Sequence, residues 1–155
     1  MSEEKNNLYP IFLKTHQLET LIVGGGFVAH EKLSFLLKSS PNSKITMVSP
    51  FFRDETINLA NKFNIKMIVD QYNNSYLKDK HITIATTDNV DVNIEVYKDC
   101  KKRNILVNVA DNPPYCDFYM GGIVTKGSAK IAISTNGKSP TTAKRLRQFF
   151  EEVIP

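Results

Sequence analysis

Tryptophan is absent from this sequence, and cysteine occurs only at Cys100 and Cys116. Two cysteines are too few for a disulfide framework, and neither has the C-x-x-C or Cys/His spacing of a transition-metal site. The first ten residues lack the cationic start and apolar core of a secretory signal. We therefore expect a cytoplasmic protein without a bound structural metal.

Long hydrophobic runs are also missing, because no stretch approaches the roughly 20 apolar residues that cross a bilayer. Hydrophobic residues make up 41% of the 155 residues, which is ordinary for a globular domain with a buried core. We expect neither a membrane nor a nucleic acid as a partner.

Acidic side chains are missing from residues 126–147, where all six charged residues are basic. They are Lys126, Lys130, Lys138, Lys144, Arg145 and Arg147. Two interpretations stay open: a solvated basic face, or a surface that binds a substrate rich in carboxylates.

A glycine-rich stretch organises the amino-terminal half. The apolar run at residues 21–23 predicts a strand buried on both faces, and Gly24, Gly25 and Gly26 follow it at once. An apolar stripe then predicts a helix through Ala29, Leu33, Leu36 and Leu37. This order is typical of a dinucleotide site, with the pyrophosphate over the helix start near Phe27 and Val28. The alternative is a glycine-rich turn without a ligand.

Strand and helix patterns alternate along the rest of the first 111 residues. We predict strands at 45–48, 65–69, 82–85 and 105–107, helices at 52–62 and from residue 90, and an edge strand at 8–13. The prediction is an α/β, Rossmann-like parallel sheet over residues 1–111.

Residues 112–155 have a different pattern. Segments 123–126 and 129–134 flank Gly127-Ser128 as in a hairpin, and Ser139-Pro140 begins a helix. An isolated hairpin is marginally stable, and the helix has an apolar stripe that reaches the end of the sequence. A second copy of the chain would cover both, so we predict a β-hairpin dimerisation region followed by a carboxyl-terminal helix. The stripe consists of Leu146, Phe149, Phe150 and Val153.

The predicted second strand ends at Ser49, Pro50 and Phe51, where nicotinamide enzymes usually place a carboxylate on the ribose. That carboxylate is missing. A hydrogen bond from Ser49 to the ribose is the weaker substitute, and Arg53 would suit a 2′-phosphate. The residues alone therefore leave NAD and NADP open.

Polar side chains follow the fourth and fifth predicted strands. Thr86 is placed to face a cofactor, and Thr87 or Asp88 either contacts it too or caps the next helix. Asn108 and Asp111 reach the same edge as the glycines. Asp111 is either a catalytic carboxylate or a turn residue before Pro113.

Six segments of this sequence resemble the precorrin-2 dehydrogenase family, the amino-terminal module of siroheme synthases. They are LYPIFLK, LIVGGGFVAHEK, ATTDNVDVN, LVNVAD, CDFYMGGIV and ISTNGKSPTTAKRLR, and they occur in the order of the family. The resemblance implies NAD-dependent oxidation of precorrin-2 to sirohydrochlorin by a homodimer. In some members this is joined to insertion of ferrous iron, which yields siroheme.

The resemblance also assigns roles by position. It implies that the glycine turn with Phe27 and Val28 holds the pyrophosphate of NAD, that Ser49, Pro50 and Phe51 lie beside its ribose, and that Asp111 is catalytic. A carboxylate there would take the proton that the substrate loses once a hydride has left. Basic residues near the carboxyl end would bind the carboxylates of the tetrapyrrole, and our candidates are Lys138, Ser139, Arg145 and Arg147. The rival interpretation is an NAD/NADH-sensing regulatory domain without chemistry.

Overall fold

A computed structural model describes residues 4–155 and divides them into two compact units. The sheet unit is Lys14–Tyr119. The hairpin unit combines residues 4–13 with Met120–Pro155.

The sheet unit is built on five parallel strands in the order β3-β2-β1-β4-β5. Its elements are β1 (Glu19–Val23), α1 (Phe27–Ser39), β2 (Lys44–Ser49), α2 (Asp54–Lys62), β3 (Lys66–Val69), β4 (Ile82–Ala85), α3 (Val90–Lys102) and β5 (Leu106–Val109). This confirms the predicted Rossmann-like fold. The strand order reverses between β1 and β4, and parallel α/β sheets bind their ligands outside the carboxyl ends of the strands at such a point.

Side chains on both faces of the sheet are buried. One face carries Leu21, Val23 and Val107, which pack in a single cluster with Val96 of α3. The other face carries fully buried residues such as Ile22. Because both faces are covered, β1 is the continuous apolar run expected of a central parallel strand.

Two predicted details of the sheet are wrong. Residues 8–13 form no strand, and their apolar side chains are exposed. The run lacks the alternation of an edge strand, and Pro10 has no N–H to donate. The fifth strand runs on to Val109, so Asn108 lies inside the strand and not after it.

The hairpin unit contains β6 (Gly122–Lys126) and β7 (Ala129–Ile133), which pair antiparallel, and α4 (Pro140–Val153). Gly127 has φ +56° at the first turn position, which suits a two-residue hairpin turn. The Ser139 side chain accepts a hydrogen bond from the Thr142 N–H and caps α4. The predicted hairpin and helix start are confirmed. Within residues 4–155, no helix is long and apolar enough to cross a membrane.

Candidate dinucleotide and catalytic site

The ends of three neighbouring strands are level at the carboxyl edge of the sheet. Val23 of β1 is paired in register with Ala85 of β4, and Ala85 is paired with Val109 of β5. The residues that follow these strands therefore form one row, which contains Gly24, Thr86 and the turn that leads into Asp111.

Gly24 begins the turn after β1 with φ +127°, a conformation that side chains rarely adopt. Its N–H donates to the carbonyl of Val48 at 2.9 Å, which ties the turn to β2. A β-carbon at Gly24 would collide with the hydroxyl and backbone of Thr86. The turn therefore requires glycine for its backbone conformation and for the close approach of β4.

Gly25 packs against the loop that follows β2. A β-carbon there would collide with the carbonyl oxygen of Phe51 and the ring of Phe52. The Gly25 carbonyl accepts the N–H of Arg53 at 2.9 Å. This contact holds the loop beside the predicted ribose position against the glycine turn.

Gly26 differs from both, because a β-carbon on it would meet no atom within 4 Å. Gly26 stands immediately before α1 and provides no side-chain cap, and the first turn of α1 contains no acidic residue. The N–H groups at the start of α1, including those of Phe27 and Val28, therefore have no side-chain cap within residues 4–155. Such groups, together with the positive end of the helix dipole, favour an anion such as a pyrophosphate.

The starts of the other α-helices in residues 4–155 already have a side-chain cap or an acidic first turn. Asn89 caps α3 and Ser139 caps α4 through their side chains. Helix α2 carries Asp54 and Glu55 in its first turn. Among the four α-helices of this part of the chain, α1 alone combines an uncapped start with a first turn that contains no acidic residue.

Ser49 is nearly buried, and its hydroxyl donates to the Phe51 carbonyl at 2.6 Å. Its oxygen also accepts the Phe51 N–H at 3.4 Å, so one lone pair remains for a ribose hydroxyl. Pro50 and Phe51 are exposed at this edge, and the Phe51 ring is 72% exposed.

Arg53 already has an anionic partner. Its side chain pairs with Glu55 at 3.1 Å and lies 5.9 Å from the centre of the Phe27 ring. The hydrogen bond from Arg53 lowers the pKa of Glu55, so this carboxylate stays charged beside the guanidinium. A 2′-phosphate would compete with Glu55 for Arg53, which makes the loop a poorer NADP site than its arginine suggests.

Thr86 is buried, and its hydroxyl donates to the carbonyl of Val23 at 2.8 Å. The side chain thus builds the turn under Gly24. Thr87 and Asp88 do not cap α3, so that interpretation was wrong. Asn89 accepts the N–H groups of Asp91 and Val92 instead. An asparagine directly before the helical pattern is a usual cap, and this signal was present in the sequence.

Asp111 occupies a left-handed conformation with φ +59°. It lies in a turn closed by the Asn112 N–H, which donates to the Val109 carbonyl at 3.1 Å. The carboxylate is exposed and has no hydrogen-bond or ion-pair partner among residues 4–155. Aspartate tolerates this conformation at a modest cost, and non-glycine residues held there are common at functional sites. Asp111 is thus a turn residue that also presents a free carboxylate.

Asn108 is buried one residue before the end of β5. Its amide nitrogen donates to the Phe118 carbonyl at 2.8 Å, but its amide oxygen is buried without a partner in the described chain. Most buried polar atoms are paired, so this oxygen is an unused acceptor close to the edge of the site.

Among the four candidate substrate-binding residues of the hairpin unit, three already have partners. Lys138 pairs with Glu4 at 3.4 Å, and Arg147 pairs with Glu151 at 2.8 Å. Ser139 caps α4. Arg145 is exposed and free of any ion pair with residues 4–155, so it is the strongest of these candidates.

Neither cysteine is activated. Burial raises the pKa of the Cys100 thiol to about 11 and also raises that of Cys116. Among residues 4–155, no cluster of three His, Cys, Asp or Glu side chains could hold a metal ion.

Two family models match this chain. The first, described as "Putative NAD(P)-binding", matches residues 11–122. The second, described as "Sirohaem biosynthesis protein central", matches residues 127–152. The first match covers the sheet and the glycine turn, and the second covers most of the hairpin and α4.

Curated relatives include siroheme synthases. The chain is 39% identical to one from Pseudoalteromonas atlantica over 147 residues, which is 95% of this chain and 31% of the relative. It is 40% identical to one from Psychrobacter sp. over 149 residues, covering 96% of this chain and 30% of the relative. The chain therefore spans about a third of the length of these relatives.

A solved structure with the same fold is that of "SirC, precorrin-2 dehydrogenase". It superimposes with a TM-score of 0.80 at 23% identity and covers 96% of this chain and 71% of that chain. Because the superposition covers 96% of this chain, residues of both units share their fold with that structure.

Proposed function

We propose that this chain, which belongs to the family described as "Putative NAD(P)-binding" and also matches the sirohaem biosynthesis central model, oxidises precorrin-2 to sirohydrochlorin in the cytoplasm, with NAD as the hydride acceptor. We assign NAD binding to residues 1–111, and dimerisation and substrate contact to residues 112–155.

The observation that carries the proposal is the open start of α1. Gly26 leaves space where a side chain would stand, and within residues 4–155 the start of α1 has no side-chain cap and no acidic residue in its first turn. A pyrophosphate would fill this space and accept those N–H groups. The preference for NAD over NADP rests on the ion pair that Arg53 already makes with Glu55.

Bound NAD supplies the two-electron acceptor for the reaction. Once precorrin-2 has lost a hydride, its ring system is cationic and must lose a proton. We assign that proton to the Asp111 carboxylate, which is exposed at the edge that also carries the glycine turn and has no partner in residues 4–155. Removal of one hydride and one proton accounts for the oxidation.

The substrate carries many carboxylates, and we propose that the basic residues of the hairpin unit bind them. The Arg145 guanidinium is exposed and has no ion-pair partner in the described part of the chain, so it can bind a carboxylate with two parallel hydrogen bonds. Lys138 and Arg147 would have to exchange their pairs with Glu4 and Glu151 for the substrate. Ser139 contributes through the helix start that it caps.

We propose that the active form is a homodimer. Phe149 and Val153 of α4 are 55% and 54% exposed, and no residue of α4 is buried. A helix with one apolar face gains stability when that face is covered, and a two-stranded hairpin is marginal without support. A second copy of the chain offers the same surface in return.

The test is a spectroscopic assay with purified protein, NAD and enzymatically made precorrin-2. Formation of NADH together with sirohydrochlorin absorbance is the expected result. NAD binding without either product would support the NAD/NADH sensor. A parallel reaction with ferrous iron and sirohydrochlorin asks whether the chain also forms siroheme.

A further inference from the structure

The loop that follows Asp111 returns to the outer edge of β5. This edge would otherwise expose unpaired backbone groups, because β5 is the last strand of the sheet. The Asp117 N–H donates to the Val107 carbonyl at 2.7 Å, and the Val107 N–H donates to the Asp117 carboxylate at 3.1 Å. One residue thus satisfies both backbone groups of Val107, with its carboxylate in place of a strand carbonyl.

Neighbouring contacts fasten the same segment. The Phe118 carbonyl accepts the Asn108 amide at 2.8 Å. The second carboxylate oxygen of Asp117 accepts the Lys101 ammonium at 2.7 Å. The Asp117 side chain is only 21% exposed, so its bonds are better shielded from water than those of a surface ion pair.

Cys116 connects this fastened segment to the turn around Asp111. Its sulfur lies 3.2 Å from the Val109 carbonyl oxygen and 3.4 Å from that of Asn112, the two residues that close the turn. Burial raises the pKa of the thiol, so the S–H is retained near neutral pH and can donate to either carbonyl.

We propose that Asp117 is a positioning residue for Asp111, because it fixes the far end of the loop whose near end presents the catalytic carboxylate. The inference rests on the proposed function, since it takes Asp111 as the proton acceptor. Residues 112–119 form one short 3₁₀ turn, Pro113–Tyr115, and the Tyr115 ring packs on Tyr97. The end contacts of Asp117 and Cys116 fix the remainder of the loop. The Asp111 side chain has no partner among the described residues 4–155, and its orientation follows from the backbone of its turn.

The first test compares Asp117→Ala with Asp117→Asn by amide hydrogen exchange. Asp117→Ala removes the acceptor of the Val107 N–H, and we expect the Asn112 amide to exchange roughly tenfold faster because its turn opens more often. Asp117→Asn keeps an oxygen acceptor and should restore the parental rate. Asp99→Ala is the matched control, because it removes a carboxylate of the same unit that accepts a hydrogen bond from the Tyr72 hydroxyl at 2.9 Å. This variant should leave the exchange rate of the Asn112 amide unchanged.

The second test is kinetic. We expect Asp117→Ala to lower kcat by about 10- to 100-fold with little change in the KM for precorrin-2, since a misplaced catalytic group slows the chemical step. The same change in an Asp111→Asn background should cause no further loss, because the two residues act through one group.

The inference would be overturned if Asp117→Ala lowered kcat equally in the parent chain and in the Asp111→Asn variant. It would also be overturned if Asp117→Ala left the exchange rate of the Asn112 amide unchanged. The Asn variant covers the case in which Asp117→Ala does not fold, because faster Asn112 exchange or a roughly 10- to 100-fold lower kcat in Asp117→Asn would also contradict the inference. Absence of NADH formation by the parent chain would instead remove the proposed function, and the exchange experiment distinguishes the two failures.

Discussion

The hydroxyl of Thr86 occupies the space that a side chain on Gly24 would need, and it donates a hydrogen bond to the carbonyl of the preceding residue, Val23. This contact joins the ends of β1 and β4 at the place where the strand order reverses. The glycine turn is therefore shaped by the neighbouring strand as well as by its own sequence.

Gly24→Ala should destabilise the fold. The new methyl group would collide with Thr86 and force a side chain into φ +127°, and we expect a loss of roughly 2–4 kcal/mol in the free energy of unfolding. Chemical denaturation measures it. Gly127→Ala is the control for backbone strain alone, because that glycine also has a positive φ but an empty surrounding. An equal loss in both variants would mean that the collision with Thr86 is unimportant.

Gly26→Ala should separate binding from folding. Its φ of −88° suits any residue and its surroundings are empty, so we expect the free energy of unfolding to fall by only about 0.5–1 kcal/mol, the usual cost of alanine at a helix N-cap. The methyl group would occupy the space assigned to the pyrophosphate, so the Kd for NAD should rise at least about tenfold, or roughly 1.4 kcal/mol. Calorimetric titration decides the point, and unchanged affinity would place the dinucleotide elsewhere.

Asp111→Asn should preserve the turn and abolish most of the chemistry. Asparagine tolerates the left-handed conformation, whereas alanine would add backbone strain and confuse the result. We expect kcat to fall by about 10²- to 10⁴-fold, the usual contribution of a general base, with NAD affinity unchanged. Retention of the parental kcat would leave Asp111 with a turn role alone.

Cys100 gives a prediction for alkaline pH. Burial raises the pKa of its thiol to about 11, above its value in the unfolded chain, so folding favours the protonated form. The stability from this residue is fully present below about pH 8.5 and is lost as the pH rises through the folded pKa. Denaturation between neutral and alkaline pH should show a decline that is smaller in Cys100→Ala. If the free energy of unfolding declined equally with pH in the parent and in Cys100→Ala, the decline would come from other titratable groups.

Local patterns explain why much of the fold was predictable. The apolar run before Gly24, the Gly127-Ser128 turn and the Ser139 cap depend on residues near one another in the sequence. Residues 8–13 were mispredicted because an apolar run indicates burial without indicating a partner. The Asn89 cap was overlooked in favour of Thr87 and Asp88, although its position carried the signal.

The roles of the basic residues could not be predicted in the same way. Residues 126–147 contain six basic residues and no acidic one. In the structure, however, Lys138 forms an ion pair with Glu4, which lies 134 positions away in the sequence. Arg147 forms an ion pair with Glu151, which lies just beyond residues 126–147. Which cation stays unpaired depends on where the folded chain brings its few carboxylates.

The sequence by itself determined the order of strands and helices, the glycine turn and the carboxylate after β5, because hydrophobic periodicity and turn chemistry act over a few residues. Only the tertiary structure decided that Thr86 closes over Gly24, that the space at Gly26 stays open and that Asp117 fastens the loop behind Asp111. Those relationships join residues from different strands and loops, and they arise only when packing of the sheet has brought them within contact distance.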